Sequence, residues 1–343
     1  MQALAERVAP KISAQAISKY EAGKMMPSSS VLVGIGKALD VSLDFLFGAQ
    51  IETLQKVEWR KSSNASARDR ARAEILVIEK LENYIAIEEI LGIRPVGDPF
   101  SDLRVHRLTD ERSIDAIASE VRDAWKIGIA PIPSMISLLE EKGLKVIEAE
   151  LPEDIDGMAC HVERANAPAI EVVVISNRTN VERKRFNLAH ELAHRIIIET
   201  GNPSLKKERA MNRFAGAFLV PREHLIKQAG EHCRSVAPIE IMRLKRNYGV
   251  SAAAILMRLG QVGILSESAV EYAFKTYARN WRREEPEPVG RTEGFAALER
   301  PRRFEQLVWR AIGERLISPV RAAQLLGRPL RIVEGEIRGP RDQ

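Results

Sequence analysis

The sequence has few of the residues that stabilise small extracellular proteins or span membranes. Only two cysteines, Cys160 and Cys233, occur in 343 residues, and they lie far apart, which excludes a disulfide-rich scaffold and a zinc ribbon. No run of eighteen apolar residues is present, so the sequence predicts no membrane span. The N-terminal stretch MQALAERVAPKIS lacks the apolar core of a signal peptide. We therefore expect a cytoplasmic protein in a reducing compartment.

The chain also lacks a strong charge of either sign. Its 52 basic and 47 acidic residues leave a net charge of +5, and 45% of its residues are hydrophobic. This is the composition of an ordinary soluble protein, and the length allows two or three domains with a sizeable core. Because the net charge is mild, a nucleic-acid site has to be inferred from local features.

Two of the six histidines stand four residues apart, in the run His190-Glu191-Leu192-Ala193-His194. Positions four apart lie on one face of a helix, so both imidazoles can bind one metal ion. Glu191 starts about 100° round the helix from His190, beside the ion, and its carboxylate is free to accept a proton from the attacking water. Two imidazole ligands and a general base are the arrangement of zinc peptidases.

A surface helix that happens to carry two histidines is the alternative interpretation of this run. The helix around it, however, has a broad apolar face, formed by Phe186, Leu188, Ala189, Leu192, Ala193, Ile196 and Ile197. Histidine and glutamate side chains on a largely buried helix are costly unless something satisfies them. The context therefore favours a metal site.

A third metal ligand is expected on a neighbouring helix, because catalytic zinc has three protein ligands and one open position. The segment KKERAMNRFAGAFLVP has helical spacing and ends at Pro221, which places Glu208 on a helix that can pack against the first. Asn212 follows one turn later and is placed to orient a ligand. Glu199 is the rival candidate, but it lies on the histidine helix and would struggle to reach the ion. Taken alone, Glu208 would be read as a surface carboxylate.

Two stretches of alternating residues, 144–151 and 158–163, and a β-branched stretch, 167–176, predict three strands before the metal helix. A small sheet beside a metal helix suits a peptidase, since an extended substrate can pair with an exposed strand edge. Residues 170–175 are the candidate edge, and an interior position for this strand is the equal alternative.

The first fifty residues predict short helices with a tight turn between the first two, which suggests a helix-turn-helix. They resemble the XRE-type (Cro/repressor) helix-turn-helix family in Leu4-Ala5, in the stretch from Ser13 to Gly23, in Pro27 and Leu39, and in Leu43 to Gly48. The resemblance implies a recognition helix at 14–22 whose Gln15, Ser18 and Lys19 face the major groove of DNA. A module that only docks protein partners is the alternative. The family has one further helix before the position of Met1, so either the start is truncated or DNA binding is weakened.

The stretch from about 60 to 225 resembles the ImmA/IrrE family of zinc metallopeptidases. The motifs that carry the resemblance include Trp125-x-x-Gly128-x-x-Pro131, Lys184-Arg185-Phe186-x-Leu188-Ala189-His190-Glu191-Leu192-Ala193-His194 and Glu208-x-x-x-Asn212-Arg213-Phe214-Ala215. The resemblance implies that His190, His194 and Glu208 bind Zn²⁺ and that Glu191 is the catalytic base. Ala193 replaces a frequent glycine of the family and Met211 a frequent alanine, and neither change removes a ligand.

The resemblance to this family also implies a role, which is the cleavage of a partner helix-turn-helix repressor in stress response or mobile-element control. We therefore predict a zinc endopeptidase fused to a DNA-binding module. The alternative is a DNA-binding transcription regulator whose metal is structural or sensory, and a fourth protein ligand would favour it. The possible oxyanion stabilisers His161, His224, His232 and Tyr248 are individually more typical of structural or surface roles.

These inferences predict an α+β, mainly helical chain with a zincin-like peptidase domain, a small mixed sheet and helical modules at both ends. The expected boundaries are a helix-turn-helix at 1–50 without the family's first helix, a connector and long helix at 51–105, the peptidase domain at 106–235, a helical cover of the site at 236–281, and a linker with a small helical module at 282–343.

Overall fold

The computed structural model describes residues 1–22, 24–39, 55–60, 66–94, 100–103, 106–107, 113–152, 155, 157–164, 167–198, 207–289 and 298–339. The predicted Leu43 to Gly48 motif and the rival ligand Glu199 lie outside these ranges. Three short helices begin the chain, α1 (Gln2–Arg7), α2 (Ala14–Glu21) and α3 (Ser29–Leu39). They share a small core of Val8, Val31, Ile35 and Ala38.

Gly34 is required where α3 meets the loop that follows α1. A Cβ atom added to Gly34 would stand 2.2 Å from the carbonyl oxygen of Ala9, far inside van der Waals contact. The two elements can therefore approach this closely only with glycine at this position.

Helices dominate the rest of the chain. They are α4 (Ala67–Ile90), α5 (Ser113–Ala124), α6 (Met135–Glu141), α7 (Val181–Ile196), α8 (Lys207–Leu219), α9 (Arg222–Ala229), α10 (Pro238–Tyr248), α11 (Ala252–Val262), α12 (Glu267–Lys275), α13 (Arg303–Gly313), α14 (Pro319–Leu326) and α15 (Leu330–Arg338). Serine side chains cap several of them, as at Ser66, Ser251 and Ser318, each accepting a hydrogen bond from a backbone N–H three residues on.

A mixed sheet of four strands lies before the metal helix in sequence. Its strands are β1 (Gln55–Arg60), β3 (Lys145–Ala149), β4 (Gly157–Arg164) and β5 (Ala167–Ser176), in the spatial order β1-β4-β5-β3. Strands β3 and β5 are parallel, and the other two pairings are antiparallel. A separate parallel pair joins β2 (His106–Arg107) to β6 (Ile197–Ile198) at the end of α7.

Strand β5 is apolar on both faces because helices cover both sides of the sheet. Val173 and Ile175 belong to the main core, which also holds α5, α6, α7, α8, α10 and α11. Val172 and Val174 point the other way, into a second core with Val77 and other residues of α4. The structure confirms the predicted α+β, mainly helical fold with a small mixed sheet.

The structure adds one strand that the sequence did not predict and decides one alternative that the sequence left open. The stretch predicted as a connector contributes β1, which pairs with β4 through Trp59 and Met158. Residues 172–175 of the candidate edge lie inside the sheet, because β3 pairs with β5 from Val172 onward. Ile170 and Glu171 pair with β4 and precede the β3 ladder. Local sequence does not specify strand order, since pairing depends on distant partners.

The long helix α4 connects the sheet to the C-terminal module. Its Tyr84 and Ile87 pack in a third core with Val308, Ala311 and Val333 of α13 and α15. Ile75, on the same helix, points to solvent and is 43% exposed. Among the described residues, no helix is long and apolar enough to cross a membrane.

Candidate metal centre

Helix α7 carries the central motif and is buried along most of its length. The side chain of Asn180 caps it by accepting a hydrogen bond from the Arg183 backbone N–H at 2.9 Å. Apolar positions such as Leu188, Ala189 and Leu192 are almost fully buried in the main core. His190 and Glu191, on the same helix, are 1% and 6% exposed.

The structure brings His190, His194 and Glu208 together. The Nε2 atoms of the two histidines are 2.9 Å apart. A carboxylate oxygen of Glu208, at the start of α8, lies 3.4 Å from His190 Nε2, and the other lies 3.7 Å from His194 Nε2. One ligand atom from each of the three residues lies within 4.8 Å of the others.

These separations fit a tetrahedral metal ion. Zinc binds imidazole nitrogen and carboxylate oxygen at about 2.0–2.2 Å, and tetrahedral angles then place the ligand atoms about 3.3 Å from one another. The separation of the two Nε2 atoms is below that value, and the two separations from an Nε2 atom to Glu208, each to a different carboxylate oxygen, are slightly above it. Two nitrogens and one carboxylate oxygen are also the donor set of many catalytic zinc sites. The residues present therefore fit a zinc ion.

Asn212 lies one turn after Glu208 on α8 and contacts His190. Its Oδ1 atom is 2.9 Å from His190 Nδ1. An amide oxygen only accepts hydrogen bonds, so His190 donates through Nδ1–H and its Nε2 retains the lone pair that a metal needs. The contact therefore fixes both the tautomer and the ring orientation of His190.

A charged cluster that the sequence did not reveal lies beside Glu191. The Glu171 carboxylate of β5 accepts a hydrogen bond from Arg195 of α7, and its other oxygen is 2.7 Å from Nδ1 of His161 on β4. Glu191, Arg195 and Glu171 border one small cavity together with Leu144. Arg195 is four residues after Glu191, and this helical spacing is the sequence feature that could have predicted that the two side chains lie on one face of α7.

The four residues considered as oxyanion stabilisers each form a hydrogen bond with a residue outside the candidate metal centre. His161 pairs with Glu171, and His224 Nδ1 is 2.8 Å from the Tyr248 hydroxyl. His232 is 3.3 Å from the carbonyl oxygen of Gly263. Burial raises the pKa of Tyr248 to about 12, so this phenol stays protonated near neutral pH.

The N-terminal helices present the predicted DNA-contacting side chains to solvent. Gln15, Ser18 and Lys19 are exposed on α2, whereas Ile17 is buried. The Ser13 hydroxyl accepts a hydrogen bond from the Ala16 backbone N–H and caps this helix. The three side chains are thus available to a partner.

Two segments of the chain match models of known protein families. Residues 139–260 match the model of the IrrE N-terminal-like domain, Peptidase_M78, and residues 1–46 match the helix-turn-helix model HTH_3. No curated protein matches the chain. A Mycobacterium tuberculosis transcriptional regulator of known structure is similar at 15% sequence identity and a TM-score of 0.30, over 52% of this chain and 51% of that chain. The match spans about half the length of that regulator.

The two matched segments agree with the predicted fusion, and residues 139–260 contain His190, His194 and Glu208 of the candidate metal centre. The chain therefore combines an N-terminal XRE-type helix-turn-helix domain with an IrrE N-terminal-like domain of the Peptidase_M78 family.

Proposed function

We propose that the chain is a zinc-dependent endopeptidase coupled to DNA binding, which cleaves a partner helix-turn-helix repressor in stress response or mobile-element control. The observation that carries the proposal is the convergence of His190, His194 and Glu208 next to the buried carboxylate of Glu191. A fused helix-turn-helix domain suits a protein that acts on transcription. The substrate is inferred from the family resemblance.

The size of the metal group favours a catalytic site over a structural one. Structural zinc is normally enclosed by four protein ligands, whereas catalytic zinc keeps one position open for water. Within the described part of the chain, the group has three members, and Glu208 is 69% exposed at its side chain. Solvent and substrate can therefore approach the centre from the Glu208 side.

In the proposed mechanism, His190, His194 and Glu208 hold the ion. Bound zinc supplies Lewis acidity, which lowers the pKa of a water toward about 7 and polarises a peptide carbonyl. Glu191 accepts the proton of the attacking water and then delivers it to the leaving amine. Asn212 keeps His190 in the ligating tautomer.

Two further parts of the chain have supporting roles in the proposal. The helical pair within 236–281 covers the N-terminal half of α7, where Lys245 of α10 contacts the buried Glu182 at 2.5 Å.

Gln15, Ser18 and Lys19 contact DNA through the major groove. Gln side chains pair with adenine, and Lys with guanine or phosphate.

The experiment incubates the purified chain and zinc with the helix-turn-helix repressor encoded nearby, with and without a chelator, and follows both proteins by intact mass. We expect two repressor fragments whose masses sum to the parent plus one water, and no fragments with the chelator. An intact repressor in a reaction where the chain has bound stoichiometric zinc would instead support a DNA-binding regulator with a structural or sensory metal.

A further inference from the structure

Glu299, in the C-terminal segment 298–300, is buried in the peptidase body, by which we mean the elements from α5 to α12. Glu299 is 0% exposed at its side chain. Its Oε1 atom accepts a hydrogen bond from the Ile136 backbone N–H at 2.7 Å, and its Oε2 atom accepts one from Met135 at 3.1 Å. Both donors belong to the first turn of α6, where backbone N–H groups have no partner within the helix. Glu299 therefore caps α6 from outside.

The same carboxylate forms an ion pair with the metal helix. Oε2 of Glu299 is 2.6 Å from Nη1 of Arg185, and both side chains are fully buried. Arg185 also donates to the carbonyl oxygens of Ile132, at 2.7 Å, and Tyr248, at 3.3 Å. Burial lowers the pKa of Arg185 and the charge of Glu299 opposes that shift. A buried guanidinium depends on such a partner.

Arg185 lies on α7 five residues before His190. A helix transmits a displacement of one turn to the next, because its backbone hydrogen bonds make it stiff over this length. The contacts of Arg185 hold the N-terminal half of α7 against residues 132–133, which lead into α6, and against the end of α10. Through Glu299 they also connect α7 to the first turn of α6. The opposite half of α7 carries both histidines and Glu191, and it faces Glu208 on α8. The distance between the histidines and Glu208 thus depends on how α7 is held.

Glu299 lies outside the matched peptidase domain, which ends at residue 260. A second contact fastens the same segment, since the Ser134 hydroxyl donates to the carbonyl oxygen of Leu298 at 3.0 Å. Helix α13 begins at Arg303, four residues after Glu299, and packs on α4. The rings of Phe304 and Tyr84, one from each helix, are 5.5 Å apart. The segment 298–300 thus joins the C-terminal module to the peptidase body.

We propose that Glu299 is a positioning residue of the metal centre, which acts through Arg185 to hold α7 where His190 and His194 meet Glu208. The C-terminal segment is then a functional part of the peptidase. The expected effect on catalysis rests on the proposed peptidase activity. The expected effect on metal binding rests only on the candidate metal centre.

The test compares full-length Glu299→Gln with the wild type and with Glu88→Gln. The Gln side chain keeps the size and the hydrogen-bond acceptor but removes the charge that Arg185 needs. Glu88 forms another buried ion pair, with Lys145, between α4 and β3, where both side chains are 11% exposed. It therefore controls for the general loss of a buried pair. Zinc affinity is measured by competition with a chromophoric chelator, well below the melting temperature of each variant.

We expect Glu299→Gln to bind zinc on the order of 10-fold more weakly, the lower end for losing a group that orients a metal ligand. We expect kcat for repressor cleavage to fall by a similar factor with KM within about twofold of the wild type, because the reacting groups are misplaced while substrate contacts remain. Glu88→Gln lowers the melting temperature and leaves zinc affinity and kcat within about twofold.

The inference is overturned if Glu299→Gln melts at a lower temperature, as Glu88→Gln does, yet keeps wild-type zinc affinity and kcat. If Glu299→Gln does not fold, Glu299→Asp takes its place, because it keeps the charge but is one methylene too short to reach both Arg185 and α6. If the wild type binds zinc but cleaves nothing, the proposed function fails. The zinc-affinity comparison then decides the positioning role by itself.

Discussion

His190 Nδ1 and Asn212 Oδ1 are 2.9 Å apart, across the contact between α7 and α8. The hydrogen bond joins the helix that carries His190 and His194 to the helix that carries Glu208. Because the amide oxygen accepts the Nδ1 proton, the Nε2 lone pair of His190 faces Glu208. One side chain thus sets both the chemistry and the direction of a ligand.

Replacement of Asn212 by Ala is expected to lower zinc affinity by about 10- to 100-fold, because the ring of His190 loses the acceptor that fixes its tautomer. The measurement is competition against a chelator of known affinity. Asn212→Asp is the matched control, since its carboxylate still accepts the Nδ1 proton, and its affinity should stay close to that of the wild type. Equal affinities for Asn212→Ala and wild type would contradict this role.

Replacement of Glu191 by Gln is expected to lower kcat for repressor cleavage by about 10²- to 10⁴-fold, because the amide cannot accept the proton of the attacking water. Zinc content, measured by metal analysis of the purified protein, should stay at the wild-type level. His190→Ala is the comparison and should lose the metal as well as the activity. A Glu191→Gln protein that cuts the repressor at the wild-type rate would refute the base assignment.

Replacement of Glu208 by Gln is expected to separate metal binding from folding. The Glu208 side chain is 69% exposed, so the metal-free variant should match the metal-free wild type within about 0.5 kcal/mol of unfolding free energy. Added zinc raises the melting temperature of the wild type, since a ligand that binds only the native state stabilises it. The variant should show little of this rise, whereas Glu223→Gln, on the exposed side of α9, should keep it.

Stability is expected to fall with rising pH because of Glu140 on α6. Burial raises the pKa of this carboxyl from 4.5 to about 7, against the smaller opposing influence of Arg303 and Lys145. A pKa that is higher in the folded state contributes stability that is complete below about pH 4.5 and lost as the pH rises through 7, at most about 3 kcal/mol. Glu140→Gln should therefore unfold in urea at a higher midpoint than the wild type at pH 8. The difference should shrink at pH 5, and an equal difference at both values would contradict the shift.

Replacement of Lys19 by Ala is expected to weaken DNA binding and to reduce the slope of log affinity against log salt by about one, if its ammonium group contacts a phosphate. A titration of labelled operator DNA at several salt concentrations measures both quantities. Lys37→Ala removes the same charge from the exposed surface of α3 and should change the slope less. Identical salt slopes for Lys19→Ala and wild type would exclude this contact.

Part of the candidate metal centre follows from residues that are close in sequence. The spacing of His190 and His194 predicts their shared face, because helical geometry over one turn depends on local backbone hydrogen bonds. The strands at 145–149, 157–164 and 167–176 lie where alternation and β-branched residues predicted them. Strand β1 was missed, since QKVEWR alternates poorly and forms a strand through its pairing with β4.

The sequence by itself determined which helix presents two imidazoles and a carboxylate, and that its apolar face would be buried. Only the tertiary structure decided that Glu208 lies within 3.7 Å of both histidines, that β5 lies inside the sheet, and that Arg185 finds its partner in Glu299. The physical reason is the separation along the chain. Arg185 and Glu299 are 114 residues apart, and such a contact is set by the packing of whole elements, which no local periodicity encodes.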